Sequence, residues 1–155
     1  MAAIMIELPG KEPVALKELV LDFTGTLSKD GDLLPGVSEK LIELARYVRI
    51  TVLTADTFKK AIESLHGLPV EVRIVSTGAE KERYVRESGP GQVIAIGNGR
   101  NDAGMIHAAA IGIAVIGPEG VAGDLLRSAD VVVGDINQAL DLLLYPLRIK
   151  ATLRE

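Results

Sequence analysis

Leu19-Val20-Leu21-Asp22-Phe23-Thr24-Gly25-Thr26-Leu27 decides the reading of this chain. The apolar run at its start reads as a buried strand. Asp22 follows, and the pattern then breaks into Thr-Gly-Thr. An acid at the end of a buried strand stands where an open α/β sheet holds ligands, in the crevice beyond the carboxyl ends. Burying a carboxylate is costly unless something positive pairs with it. A metal ion beside a phosphate-binding loop is one solution, and an Asp that caps the turn is the other.

Outward from this strand, hydrophobic patterning alternates between two periods. Ile4–Leu8 and Val14–Lys17 flank Pro9-Gly10 and predict a small N-terminal hairpin. Ser28–Gly36 carries an Asp30-Gly31 turn signal and predicts a short flap beside Asp22. Ser38 is placed to cap a helix running to about Tyr47. Strands are expected at Arg49–Leu53, Val70–Val75, Val93–Ile96, Ile111–Ile116 and Asp130–Val133. Between and after them come helices to about His66 (closed by Gly67), over Ala79–Glu87, to about Ala110, through Arg127, and over Ile136–Leu144. Near-continuous apolar strands alternating with helices predict an α/β fold: a three-layer Rossmann-like parallel sheet with helices on both faces. The expectation is one domain over residues 1–155, because the connections are short and no stretch reads as a linker.

Composition narrows the function. A chain of 155 residues that is 48% apolar and 25% charged can bury a sizeable core, which excludes a disordered chain. A net charge of −4 with scattered Lys and Arg leaves no footprint for nucleic acid or an anionic membrane. No cysteine is present, so disulfides and thiolate metal sites are excluded, which suits a cytoplasmic location. The N-terminus lacks the basic and apolar regions of a signal peptide, and no apolar run is long enough to span a bilayer. His66 and His107 stand alone and read as helix-surface or helix-end residues and not as metal ligands, and Tyr84, Met105 and Tyr145 read as packing residues.

Four polar clusters follow four expected strands: Asp22/Thr24/Thr26, Thr54/Asp56, Lys81, and Asn98/Asn101/Asp102. In a parallel sheet these ends converge. The set holds what phosphoryl transfer needs: a nucleophile or metal ligand, oxygen-binding donors, a cation and a second acid for Mg²⁺. Nearby glycines let backbone N–H groups approach an anion. Each residue also has a plainer role. Thr54, Asp56 and Asn101 could be helix caps, Asp102 would be favoured by a helix dipole, and Lys81 could be one solvated charge among several, with Lys59 and Lys60 as rivals for the cation.

The motifs carry a resemblance. Asp22-Phe-Thr-Gly-Thr-Leu resembles the first motif of the haloacid dehalogenase-like superfamily, in the version found in P-type ATPase phosphorylation domains. Thr54-Ala55-Asp56, Lys81 and Gly97-Asn98-Gly99-Arg100-Asn101-Asp102-Ala103 resemble the other three motifs, in order, over about Lys17 to Val133. The chain is similar to small soluble P-type ATPase-like phosphatases that lack the pump's other domains. The resemblance implies a Mg²⁺-dependent phosphohydrolase. Asp22 would form an aspartyl phosphate; Asp22, the Thr24 carbonyl, Asp102 and Asn98 would hold the metal. Lys81 would neutralise phosphoryl charge, and Thr54, Ala55 and the Gly25 and Thr26 backbone would bind the phosphoryl oxygens. Asp56 and Asn101 would orient the loops from behind.

Two departures qualify it. Thr24 stands where most superfamily phosphatases have an acid–base Asp, a contribution typically worth about 10²–10⁴-fold. Slow turnover on alkyl esters is therefore expected, with anhydride, acyl or aryl phosphates, ATP included, preferred. Asn98 stands where the family has a metal-binding Asp and contributes no charge. Neither stretch in which the superfamily inserts a cap is long enough for one, so the resemblance implies a capless, open site. Such a site suits a large substrate, a phosphoprotein as well as a small phosphorylated molecule, or walls borrowed from a second copy in a homo-oligomer. Two other functions fit the same residues: a phosphoryl-accepting regulatory or interaction module, and a non-catalytic phosphate- or nucleotide-binding domain.

Overall fold

The computed structural model describes residues 3–56 and 59–154. Strands β1 (Ile4–Ile6) and β2 (Val14–Leu16) form the expected antiparallel hairpin. Strand β3 (Glu18–Asp22) follows, then the flap, a small hairpin of β4 (Ser28–Lys29) and β5 (Asp32–Leu33). Its turn puts Asp30 at φ 52° and Gly31 at φ 85°, the left-handed pair that an Asp-Gly turn signals. Helix α1 (Val37–Leu44), β6 (Arg49–Thr54), α2 (Lys60–Ser64), β7 (Glu71–Ile74) and α3 (Gly78–Glu87) come next. They are followed by β8 (Val93–Gly97), α4 (Ala103–Ala108), β9 (Ile111–Val115), α5 (Gly123–Ser128), β10 (Val131–Val133), α6 (Ile136–Leu144) and α7 (Leu147–Leu153).

Six strands make one parallel sheet in the order β10-β9-β8-β3-β6-β7. All five residues of β3 are buried, because both faces of the central strand are covered. Alternate residues feed two cores. Leu19, Leu21 and Phe23 pack with Ile50, Val52, Ile94 and Ile96 beneath α1, α6 and the N-terminal hairpin. Val20, Leu53 and Ala95 pack with Val85, Met105, Ile106 and Leu125 of α3, α4 and α5. The stretch between β3 and α1 holds only the flap, and that between β6 and α3 holds α2 and β7 among the described residues, so neither carries a cap domain.

Several elements depart from expectation. Ser38 does not cap α1; the helix begins at Val37 from Gly36, whose φ of 84° turns the chain so that Val37 enters the core. Helix α2 is shorter than expected, ending at Ser64, and the residues just before its start (57–58) lie outside the described residues. Strand β7 is a largely exposed edge strand, since among the described residues nothing pairs beyond it. Helix α7, absent from the sequence reading, returns Ile149 to the core. Tyr145 is exposed against Arg148 rather than packed inside. Met105 is buried, and His66 and His107 lie on the surface.

Candidate functional site

From β3 the chain steps to β6 and β7 on one side, then crosses to β8 on the other, so the topological switch lies beside β3. The carboxyl ends of β3 and β8 deliver Asp22 and, through a tight turn, Asp102. Helix α3 leans its Lys81 across both. The Lys81 Nζ donates to Asp22 Oδ1 at 2.8 Å and to Asp102 Oδ1 at 2.8 Å. The three residues are 6%, 0% and 3% exposed for Asp22, Asp102 and Lys81. Lys81 is therefore the cation of this cluster. Lys59 and Lys60 are exposed, and Lys60 lines the cleft described below.

Two buried carboxylates share one ammonium, leaving one negative charge in excess. Burial, reinforced by the Asp102 carboxylate, pushes the Asp22 carboxyl from its ordinary 3.8 up to about 7, against the pull of Lys81 and Thr26. Burial alone would lower the Lys81 ammonium, but the two carboxylates outweigh it and raise it. Asp102 Oδ2 accepts from the backbone N–H of Asn98 at 3.1 Å and of Gly99 at 3.0 Å, which locks its loop.

The phosphate-binding roles fall differently from expectation. The Gly25 N–H donates to the Ser28 carbonyl and the Thr26 N–H to the Phe23 carbonyl, so the tight turn consumes both. Among the described residues the N–H groups of Thr24 and Ala55 have no hydrogen-bond partner. The Thr26 hydroxyl donates to Asp22 Oδ2 at 2.9 Å and faces Asn98 Oδ1 at 3.1 Å, so it serves the carboxylate and not a phosphate. Buried Thr54 accepts from the Asp56 N–H at 3.2 Å, which leaves its hydroxyl proton to be donated. Asp56 caps α2 by accepting from the N–H groups of Ala61 at 2.7 Å and Ile62 at 3.3 Å. Asn101 is exposed and caps neither its turn, which starts from Gly99, nor α4, which starts from Asp102; its backbone packs against Gly78 instead.

Asn98 does reach the site. Gly25, at φ 78°, is where a side chain would meet the Asn98 amide nitrogen at 2.5 Å. The Asn98 Nδ2 donates to the Gly120 carbonyl at 3.0 Å. Beside Asp22 opens a cleft of about 410 Å³, walled by Phe23, Thr24, Ala55, Lys60, the flap tip at Asp30-Gly31 and Glu119. Glu119, in the Gly-Pro-Glu-Gly turn after β9, escaped the sequence reading because nothing local links it to Asp22. A larger groove of about 510 Å³ lies away from the carboxylates, between Leu34-Pro35, the start of the Gly117 turn and the N-terminal end of α6.

The donor set fits a hard divalent cation. Two buried carboxylates, those of Asp22 and Asp102, share the one Lys81 ammonium and carry excess negative charge. Among the described residues no three His, Cys, Asp or Glu side chains group to hold a metal. Two carboxylates are a donor set that a hard divalent cation can use when water or substrate oxygens complete its shell.

The chain shares its fold with solved hydrolases of the haloacid dehalogenase-like family. A hydrolase of the haloacid dehalogenase-like family from Streptococcus pneumoniae superposes with a TM-score of 0.62 at 14% identity, over 81% of this chain and 97% of that one. The 3-deoxy-D-manno-octulosonate 8-phosphate phosphatase of Moraxella catarrhalis, solved with magnesium ion, phosphate ion and the sugar, gives 0.69 at 15% identity, over 84% and 87%. The Yersinia pestis phosphatase of the same name gives 0.68 at 15% identity, over 97% and 95%. At such identities the likeness is one of fold. In sequence, an uncharacterized protein of Methanocaldococcus jannaschii is 49% identical over 74 residues, which is 48% of this chain and 80% of that protein. The chain belongs to the same family as that protein. No protein-family model matches it. Among the described residues no helix is long and apolar enough to cross a membrane.

Proposed function

We propose that the chain is a Mg²⁺-dependent phosphohydrolase with Asp22 as its nucleophile. One observation carries the reading: a buried Asp22–Lys81–Asp102 bridge at the switch point of the sheet, next to a cleft lined by the adjoining Phe23 and Thr24. Such a charge arrangement costs stability, and functional sites are where such costs concentrate. Structural likeness to phosphatases of phosphorylated small molecules supports the same reading.

In this mechanism an Asp22 carboxylate oxygen attacks phosphorus in line. The bond from phosphorus to the leaving oxygen breaks as the bond to Asp22 forms. The leaving oxygen keeps the electron pair and takes its proton from solvent, because Thr24 offers no acid near neutral pH. Lys81 and the N–H groups of Thr24 and Ala55, with the Thr54 hydroxyl, bear the charge on the phosphoryl oxygens. Water then attacks phosphorus, releases phosphate and restores the Asp22 carboxylate. Mg²⁺, held by Asp22, Asp102 and the Thr24 carbonyl, would supply charge neutralisation and hold the phosphoryl group in line. Thr26 holds Asp22 in position through its hydroxyl. Because Thr24 offers the leaving group no acid, aryl and acyl phosphates and anhydrides are the favoured substrates. The missing acid–base residue also favours a second reading, in which a long-lived aspartyl phosphate is read by a partner.

The test is phosphate release from p-nitrophenyl phosphate and acetyl phosphate with and without Mg²⁺, together with acid-quench detection of protein-bound phosphate. The hydrolase reading expects Mg²⁺-dependent release that Asp22→Asn abolishes. Persistent protein-bound phosphate with little release would favour the regulatory reading. Neither release nor labelling would overturn both.

A further inference from the structure

We propose that Asn98, at the position where the resemblance implies a metal ligand, is instead a positioning residue that ties three loops together and holds the flap over the leaving-group cleft. The nitrogen end of its carboxamide is committed to the protein, and its oxygen end shares the one Thr26 hydroxyl proton with Asp22 Oδ2. Its Oδ1 faces the Thr26 hydroxyl at 3.1 Å, and its Nδ2 donates to the Gly120 carbonyl at 3.0 Å. The orientation of the amide is set by these partners, since a flipped carboxamide would put oxygen against the Gly120 carbonyl oxygen. The Asn98 main-chain carbonyl also accepts from the Ala122 N–H at 2.8 Å, so the loop after β9 is held at two points.

The path continues on both sides. Towards the nucleophile, Thr26 reaches Asp22 Oδ2 at 2.9 Å. Towards the cleft, Glu119 of the tied loop accepts from the Asp30 N–H at the flap tip at 2.9 Å. The three loops are packed so closely that a side chain at Gly25 would strike Asn98, and one at Gly117 would strike the Gly25 carbonyl oxygen. A neutral amide suits this place. An Asp there would lose the donor to Gly120 and would set a carboxylate oxygen against the Gly120 carbonyl.

This inference places Asn98 within the phosphohydrolase reading, but its test does not need turnover. The proteins are wild type, Asn98→Ala, Asn98→Asp and Glu119→Ala. Mg²⁺ affinity is read by titration calorimetry, and flap release by the rate of tryptic cleavage after exposed Lys29, followed by mass spectrometry. The proposal expects Asn98→Ala to keep Mg²⁺ affinity within about twofold and to speed cleavage after Lys29 by about tenfold. Asn98→Asp behaves alike, without a gain in Mg²⁺ affinity. Glu119→Ala cuts only the last link and is at the surface. It speeds the same cleavage and raises KM for p-nitrophenyl phosphate more than it lowers kcat. A tenfold or greater loss of Mg²⁺ affinity in Asn98→Ala, a tenfold gain in Asn98→Asp, or unchanged cleavage in Glu119→Ala would overturn it. If the wild type releases no phosphate, the function proposed above fails, while the calorimetry and proteolysis still decide the role of Asn98.

Discussion

The sharpest consequence of the buried cluster is a stability that falls as pH rises, and Asp22→Asn isolates it. Asp22 has an ordinary value of 3.8 when unfolded and about 7 when folded, because burial and Asp102 outweigh Lys81. Well below pH 4 the carboxyl is protonated in both states and does not bear on folding. Between about pH 4 and 7 the unfolded chain has lost this proton and the folded chain keeps it. The folded state then binds more protons, so stability declines with rising pH. At 1.36 kcal/mol per unit, the loss is complete above pH 7 at about 4 kcal/mol. The substituted amide does not titrate, still accepts from Lys81, and leaves Lys81 paired one to one with Asp102. The assay is urea unfolding followed by circular dichroism at pH 4 and pH 8, in a chelator, for both proteins. The variant should gain about 4 kcal/mol on wild type between the two pH values. Ionisations common to both, such as that of Glu18, cancel in this comparison. Mg²⁺ at about a hundred times its Kd should return about 2.7 kcal/mol to the wild type. A difference that stays constant, or that shrinks as pH rises, would refute the reasoning about the cluster.

Four other outcomes follow from particular contacts. Lys81→Met removes the ammonium between two buried carboxylates and should cost about 3–5 kcal/mol above pH 7, with phosphate release down about 10²–10³-fold, checked by unfolding and steady-state kinetics. Thr24→Asp should raise turnover of an alkyl phosphate, up to about 10²–10⁴-fold, and change p-nitrophenyl phosphate little, as read from the ratio of the two kcat values. Gly117→Ala drives a methyl group into the Gly25 carbonyl and should cost about 1–3 kcal/mol and most of the activity while the far-ultraviolet spectrum is kept. Tyr84→Phe removes the hydroxyl that donates to buried Glu18 at 2.6 Å and should cost about 1–3 kcal/mol with kcat unchanged, because that contact lies at the opposite end of β3 from Asp22.

Much of the frame was legible because its cause is local. The apolar run ending at Asp22 gave the central strand, and Asp30-Gly31 gave the flap turn, since both depend on neighbours in sequence. Boundaries were less legible. A helix start at residue 37 or 39 turns on whether Gly36 or Ser38 ends the preceding loop, and the fit of Val37 into the core settled it. Helix α7 was missed because Pro146 reads as a stop, although here it starts the next helix. The four clusters were recognised as a set, but their internal wiring was not. Gly25 and Thr26 looked like phosphate binders, yet their N–H groups close their own turn.

Sequence by itself determined the alternation of strands and helices, the burial of both sheet faces, and the short list of groups able to do chemistry. Hydrophobic period and turn chemistry act over a few residues, so they can be read there. Tertiary structure alone decided which lysine meets Asp22, since Lys81 lies 59 residues away and only the crossing of α3 over the switch point brings it within 2.8 Å. It likewise decided that two carboxylates share that one ammonium, and that Glu119, 89 residues from the flap tip, holds it. Such contacts depend on topology and packing, and a buried charge acquires its energy only from the neighbours that packing assembles around it.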